Sequence, residues 1–115
     1  MKNCLILTGG TLDCDFAGDF CKKNTFDLTI AVDGGLAAAK TLGIVPDVIV
    51  GDLDTARESL VEEFRQYPFI RWDVHPPEKD ETDTELALRR AIACGADKIT
   101  ILGATGGRFD HMLAN

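Results

Sequence analysis

Val48-Ile49-Val50-Gly51-Asp52-Leu53-Asp54-Thr55 is the stretch on which the reading of this 115-residue chain turns. A run of β-branched residues forms a buried strand. The strand then passes through a glycine into two carboxylates. Side chains two residues apart on an extended segment point the same way, so Asp52 and Asp54 share a side. Two like charges that close repel unless a cation or a shared proton lies between them. Two uses fit Gly51 to Thr55: half of a Mg²⁺ site, or a polar loop in which Asp54 or Thr55 caps the next helix. The neighbouring sequence has to decide.

Upstream, Cys4-Leu5-Ile6-Leu7-Thr8 reads as a buried first strand that runs into Gly9-Gly10-Thr11. Residues 12 to 25 are polar and irregular, with room for a short helix over Asp15 to Cys21. Phe26 to Val32 is a second strand, and it ends in Asp33-Gly34-Gly35. Paired glycines just past a strand let backbone N–H groups approach a ligand closely; a tight turn is the plain alternative. Asp33 suits a ribose hydroxyl or a hydrated cation, and equally the cap of the short helix from Leu36 to Leu42. Gly43 closes that helix as its C′ residue. Pro46 opens the third strand, where a missing N–H is tolerated.

Downstream, Ala56 to Tyr67 is amphipathic, with Leu60, Val61, Phe64 and Tyr67 as its apolar stripe. Pro68 ends it. Phe69 to Val74 is a fourth strand whose partial alternation places it near a sheet edge, with Trp72 packing. The run from Glu78 to Glu85 is the densest in charge. Within it, Thr82-x-x-Glu85 fits a capping box for a helix reaching Cys94. Leu88, Ala91 and Ile92 form that helix's apolar stripe, Glu85 and Arg89 pair across one turn, and Gly95 ends it. The capping box leaves Lys79, Asp80 and Asp83 unused. A helix N-terminus attracts anions and Lys79 adds to that; Asp80 and Asp83 fit the same place if a metal is there.

Lys98 to Leu102 is a fifth strand leading into Gly103-Ala104-Thr105-Gly106-Gly107-Arg108-Phe109-Asp110-His111. Gly106 and Gly107 can lay N–H groups on a phosphate, and Arg108 can fork onto its oxygens. Asp110 and His111 can orient a ligand, relay a proton or bind a metal. A turn with a capped following helix is the plain alternative.

Five strands alternating with three or four helices, with no hairpin signal between them, specify a parallel α/β sheet with right-handed crossovers. The expected fold is a doubly wound, Rossmann-like three-layer sandwich. Ligands of such sheets bind outside the carboxyl ends of the strands. Each glycine-rich or acidic stretch follows a strand, so all converge on one edge. That convergence favours a Mg²⁺-nucleotide site over a set of unrelated caps.

Composition sets the limits. The length suits one domain with a real core. A net charge of -7 argues against a general nucleic-acid backbone binder. No apolar run approaches a membrane span, and no signal-peptide pattern follows Met1. Cys4, Cys14, Cys21 and Cys94 show no C-x-x-C or zinc spacing. Cys4 and Cys94 read as buried free thiols, and a Cys14–Cys21 pairing is the weaker alternative. A cytoplasmic protein with reduced cysteines is expected, with no nucleic-acid or membrane partner.

Thr8-Gly9-Gly10, Asp33-Gly34-Gly35, Gly51 to Thr55, Lys79 to Leu88 and Thr105 to Asn115 together resemble the catalytic domain of the thiamine pyrophosphokinase family. The motifs come in the family's order and cover nearly the whole chain. The resemblance implies transfer of a pyrophosphoryl group from ATP to the thiamine hydroxyl, releasing AMP. It implies Mg²⁺ held by Asp52, Asp54 and Asp83. It also implies nucleotide contacts around Gly9, Gly10, Asp33, Gly34, Lys79, Thr82, Thr105, Gly106, Gly107, Arg108, Asp110 and His111. Asp54 and Asp80 are the first candidates to accept the hydroxyl proton. Thr55 stands where Ser is common in the family and keeps the hydroxyl. Family members act as homodimers and continue into a β-sandwich domain that helps form the thiamine pocket. Residues 1–115 then correspond to the catalytic domain, ending about two turns into an expected final helix, with the β-sandwich outside the chain. Two alternatives stay open: another hydroxymethyl acceptor such as a pterin, and a Mg²⁺-nucleotide-binding module inactive without its second domain.

Overall fold

A computed structural model describes residues 2–8, 22–23, 25–32, 35–51, 58–74, 83–102 and 108–112. Its elements are β1 (Asn3–Leu7), β2 (Leu28–Val32), α1 (Gly35–Leu42), β3 (Val48–Gly51), α2 (Glu58–Phe64), β4 (Arg71–Val74), α3 (Asp83–Ala93), β5 (Lys98–Leu102) and β6 (Arg108–Met112). They build a six-stranded sheet in the order β4-β3-β2-β1-β5-β6. Strands β1 to β5 are parallel. The chain steps outward from β1 to β4, then returns to lay β5 on the other side of β1. The strand order therefore reverses between β1 and β5.

Strand alternation divides the core into two layers. Cys4, Ile6, Ile30, Val32, Val48, Val50 and Ile99 meet Ala87 and Ala91 of α3 on one face. Leu5, Leu7, Ala31, Ile49 and Leu102 meet Leu36 and Ala39 of α1 and Phe64 of α2 on the other. Helices cover both faces, as the doubly wound reading requires. Leu5, Ile6 and Leu7 of β1 are fully buried, and each contributes roughly 1.5–3 kcal/mol by leaving water.

Both α1 and α3 end in Schellman motifs at the two glycines expected there. Gly43 N–H donates to Lys40 C=O at 3.1 Å and Ile44 N–H to Ala39 C=O at 2.9 Å. Gly95 N–H donates to Ile92 C=O at 2.9 Å and Ala96 N–H to Ala91 C=O at 3.0 Å.

The amino ends of the strands are closed by three aspartates. Asp27 donates its N–H to Asn3 C=O and accepts the Asn3 N–H on Oδ2, both at 2.8 Å. Asp47 does the same with Thr29 at 2.8 and 2.9 Å, and Asp97 with Lys2 at 2.8 Å each way. Each carboxylate extends the ladder where a neighbour's N–H would otherwise lack a partner.

Cys4 and Cys94 are both free thiols, with Cys4 buried and Cys94 half-buried. Burial pushes the Cys4 thiol up to about 12; nearby Cys94 and Asp47 add to the rise and Lys2 opposes it. Cys14 and Cys21 lie outside the described residues. Trp72 is packing, as expected: it lies against the α1–α2 layer of the core, with the Arg65 guanidinium 5.1 Å from its ring centre. β4 is an edge strand. Among the described residues no helix is long and apolar enough to cross a membrane.

Three expectations need correction. Ile92 is 51% exposed; Ala87, one turn before Ala91, takes the core position instead. Tyr67 lies beyond the end of α2 and is 38% exposed. Residues 108–112, read as the end of a loop and the start of a helix, form a strand antiparallel to β5. That strand covers the open edge of β5 that a purely parallel five-stranded sheet would leave.

Candidate active site

Because β1 to β5 run in parallel, their carboxyl ends share one edge of the sheet. The described strands end there at Leu7, Val32, Gly51, Val74 and Leu102. Each is followed in sequence by one of the five glycine-rich or acidic stretches.

At the reversal point the edge is tightly built. The buried Thr8 donates its N–H to Leu102 C=O at 3.0 Å and its hydroxyl to the same carbonyl at 3.2 Å. This ties the ends of β1 and β5 together. Beside them α1 begins at Gly35. A Cβ at that position would stand 2.1 Å from Leu7 O and 2.7 Å from Leu7 C. The first turn of α1 therefore lies directly on the end of β1, an approach open only to glycine. In the sequence pattern Gly34 is the expected contact and Gly35 only its neighbour. The detectable signal was a second glycine immediately before an alanine-rich helix.

One strand further out, Gly51 is buried, pairs with Val74, and adopts φ 137°, a conformation that L side chains rarely take. The residue immediately before Asp52 in sequence thus has a backbone that favours glycine. α3 begins at Asp83, so its N-terminus and that of α1 point their positive ends to the carboxyl edge.

Arg108, Asp110 and His111, which follow one another closely in sequence, are spread along β6. Arg108 pairs with Leu102 at the carboxyl end of β5, Asp110 with Thr100, and His111 with Ile99. Arg108 is brought to the edge. The backbone of His111 stands three residues back along the strand, about 10 Å at the usual rise. These residues do not form one loop.

Gly9, Gly10, Asp33, Gly34, Asp52, Asp54, Lys79, Asp80, Thr82, Thr105, Gly106 and Gly107 lie outside the described residues, as does the Thr82 half of the expected capping box. Among the described residues no group of three or more His, Cys, Asp or Glu side chains is placed to hold a metal. An open pocket of about 170 Å³ lined by Ala39, Ile44, Val45, Phe64, Tyr67 and the Lys40–Glu63 ion pair lies at the C-terminal end of α1. That is the opposite edge of the sheet, away from every stretch singled out above.

Comparison with known proteins gives consistent matches. Residues 22–115 match the family model for the thiamin pyrophosphokinase catalytic domain. The chain is 37% identical over 118 aligned positions to the thiamine pyrophosphokinase of Bacillus subtilis, covering 100% of this chain and 53% of that protein. The crystal structure of thiamine pyrophosphokinase from B. subtilis superposes with a TM-score of 0.71 at 31% identity, over 93% of this chain and 49% of that one. The thiamin pyrophosphokinase structure from Geobacillus thermodenitrificans gives 0.69 at 31% identity, over 92% and 48%. The chain spans about half the length of these relatives.

Proposed function

The chain belongs to the thiamin pyrophosphokinase catalytic-domain family, and on that premise we propose that it forms the nucleotide-binding part of an enzyme that moves a pyrophosphoryl group from ATP to the hydroxyl of thiamine, releasing AMP. The observation that carries this reading is the convergence at the carboxyl edge. Every strand from β1 to β5 ends there, and each is followed by a stretch suited to phosphate, cation or ribose.

Chemically, the thiamine oxygen attacks the β-phosphorus of ATP, the bond from that phosphorus to the α-phosphate oxygen breaks, and AMP departs. Such a step needs positioning and neutralisation of charge more than covalent help from the protein. Asp52, Asp54 and Asp83 would hold Mg²⁺: hard carboxylate oxygens suit that ion. Asp52 and Asp54 follow the end of β3, and Asp83 opens the helix that packs over β3. When bound, the ion would neutralise charge developing on the phosphoryl oxygens. Arg108 and Lys79 would grip the anionic chain, Arg108 with the fork of its guanidinium. Gly9, Gly10, Gly34, Gly106 and Gly107 would offer backbone N–H groups to phosphates. Asp33 would take the ribose. Thr82, Thr105, Asp110 and His111 would complete the nucleotide contacts. Asp54 or Asp80 would accept the hydroxyl proton of thiamine as the bond forms. The same reading makes the full-length enzyme a cytoplasmic homodimer with no nucleic-acid or membrane partner; the charge of -7 supports the exclusion of nucleic acid.

The test is AMP release by the full-length protein from Mg²⁺-ATP with thiamine, and in parallel with hydroxymethylpterin. Thiamine-dependent AMP is the expected result. AMP released only with the pterin would reassign the acceptor. Binding of an ATP analogue without turnover on either would reduce the role to nucleotide binding.

A further inference from the structure

Helix α3 packs over β1, β2 and β3 and reaches the edge strand β4 through a charged contact. Arg90 Nη2 donates to Asp73 Oδ2 at 2.5 Å, with side chains 27% and 24% exposed. Register explains the meeting: Asp73 pairs with Val50, whose side chain belongs to the core layer under α3. Helical side chains lean toward the N-terminus, so Arg90 reaches back toward the carboxyl edge, where β4 ends one residue after Asp73. Asp83 and Arg90 are seven residues apart, about two turns, so their Cα atoms lie along one line of the helix.

We propose that the Asp73–Arg90 ion pair is a positioning element that sets the first turn of α3, with Asp83, against the ends of β3 and β4. This rests on the reading of Asp83 as a Mg²⁺ ligand. The pair links the two stems of segment 75–82, which carries Lys79, Asp80 and Thr82. α3's apolar contacts, through buried Ala87 and Ala91 with Leu86, Leu88 and Cys94 partly buried beside them, hold it to the central strands. Apolar packing of this kind is non-directional. A half-buried, charge-assisted hydrogen bond on the β4 side adds a directional constraint to that apolar contact. Residues that orient a metal ligand act on cation affinity without touching the ion.

The experiment uses the full-length protein with an ATP analogue and reads Mn²⁺ binding by electron paramagnetic resonance, with hydrogen exchange across residues 75–86. Asp83→Asn tests the underlying reading. Arg90→Met and Asp73→Asn test the positioning, and the double exchange Asp73→Arg with Arg90→Asp restores the pair in reverse. Each single variant should weaken Mn²⁺ binding about tenfold and speed exchange in the first turn of α3. The double exchange should recover most of both effects. If Arg90→Met does not fold, the near-isosteric Asp73→Asn carries the test. A pair that only stabilises the fold would lower the melting temperature and leave Mn²⁺ affinity where it was, and that result overturns the proposal. Unchanged binding in Asp83→Asn instead removes the ligand reading, and the proposal with it.

Discussion

The two edges of the sheet use the same residue type for different ends. At the amino edge Asp27, Asp47 and Asp97 each precede a strand, and each exchanges two hydrogen bonds with the neighbouring strand. Their carboxylates are occupied by the backbone. At the carboxyl edge Asp33, Asp52 and Asp54 follow β2 and β3 in sequence, and the proposed function uses them for ribose and cation. On the proposed function, position relative to the strand, not the residue type, separates structural aspartates from those used for chemistry. An aspartate at the amino edge should therefore matter to stability, and one at the carboxyl edge to binding.

The largest expected effect tests the carboxyl side. Asp52→Asn and Asp54→Asn in the full-length protein should each slow AMP release by roughly 10²–10³-fold, the scale of losing one electrostatic stabiliser in a phosphoryl site. Urea unfolding of the same variants should change little. A loss of stability as large as the loss of rate would erase the distinction between the edges.

Next comes the backbone that supports the carboxyl edge. Gly35→Ala puts a methyl group 2.1 Å from Leu7 O, a backbone atom that cannot rotate away. α1 must shift off β1, and the cost should be about 2–3 kcal/mol in urea unfolding, with nucleotide binding reduced as well. A near-neutral Gly35→Ala would mean that α1 does not sit on β1 as described.

Much of this arrangement can be read from the chain alone. β5 runs over Lys98–Leu102 as its apolar run indicates, and both C′ glycines lie where the helical pattern stops. Those signals are local: a period, a cap, a turn residue. What escaped depends on contacts between distant segments. Gly35 is needed because of Leu7, and Asp47 is structural because of Thr29; neither partner is near in sequence. β6 escaped for a different reason. A glycine-rich connection serves a hairpin or a phosphate loop equally well, and 103–107 carries three glycines. Ile92 shows the limit of counting apolar positions, because it lies one residue from Ala91 and about 100° around the helix. As for the candidate site, the sequence pattern assigns its stretches to one edge through the parallel topology. It does not separate Arg108 from His111, which only strand pairing does.

Between the edges, Cys4 gives a pH-dependent check on the centre of the sheet. Its thiol is pushed up to about 12 in the folded protein, mainly by burial. An unfolded cysteine ionises near 8.5. The folded state therefore binds the proton more tightly, and stability from this group is fully present below about pH 8.5 and declines as the pH rises toward the folded value. The decline should approach 1.4 kcal/mol per pH unit around pH 10. Cys4→Ala should flatten the slope by that amount relative to the parent, whatever its cost at neutral pH. At pH 8 the folded thiol should resist a disulfide reagent that labels the unfolded chain at once. Equal labelling rates would contradict its burial.

A smaller effect belongs to the amino edge. Asp47→Ala removes the acceptor for Thr29 N–H, now at 2.9 Å. The site is exposed enough for water to replace part of the bond, so the loss should be about 1 kcal/mol, with Mg²⁺-nucleotide binding unchanged. Reduced binding here would break the comparison from the other side.

The smallest effect sharpens it most. Asp47→Asn keeps an oxygen for the Thr29 N–H and removes only the charge. If the amino-edge carboxylate serves as a hydrogen-bond acceptor, stability should fall by no more than about 0.5 kcal/mol. The identical change at Asp52 should be the most damaging substitution in the set, because an amide oxygen is a weak substitute for a carboxylate facing Mg²⁺. Asp47 also raises the Cys4 thiol, so Asp47→Asn should let Cys4 begin to titrate at slightly lower pH, a change visible by thiolate absorbance. A cost well above 1 kcal/mol at Asp47→Asn would show that the charge itself is used at the amino edge. The division of labour would then rest on more than which end of a strand an aspartate occupies.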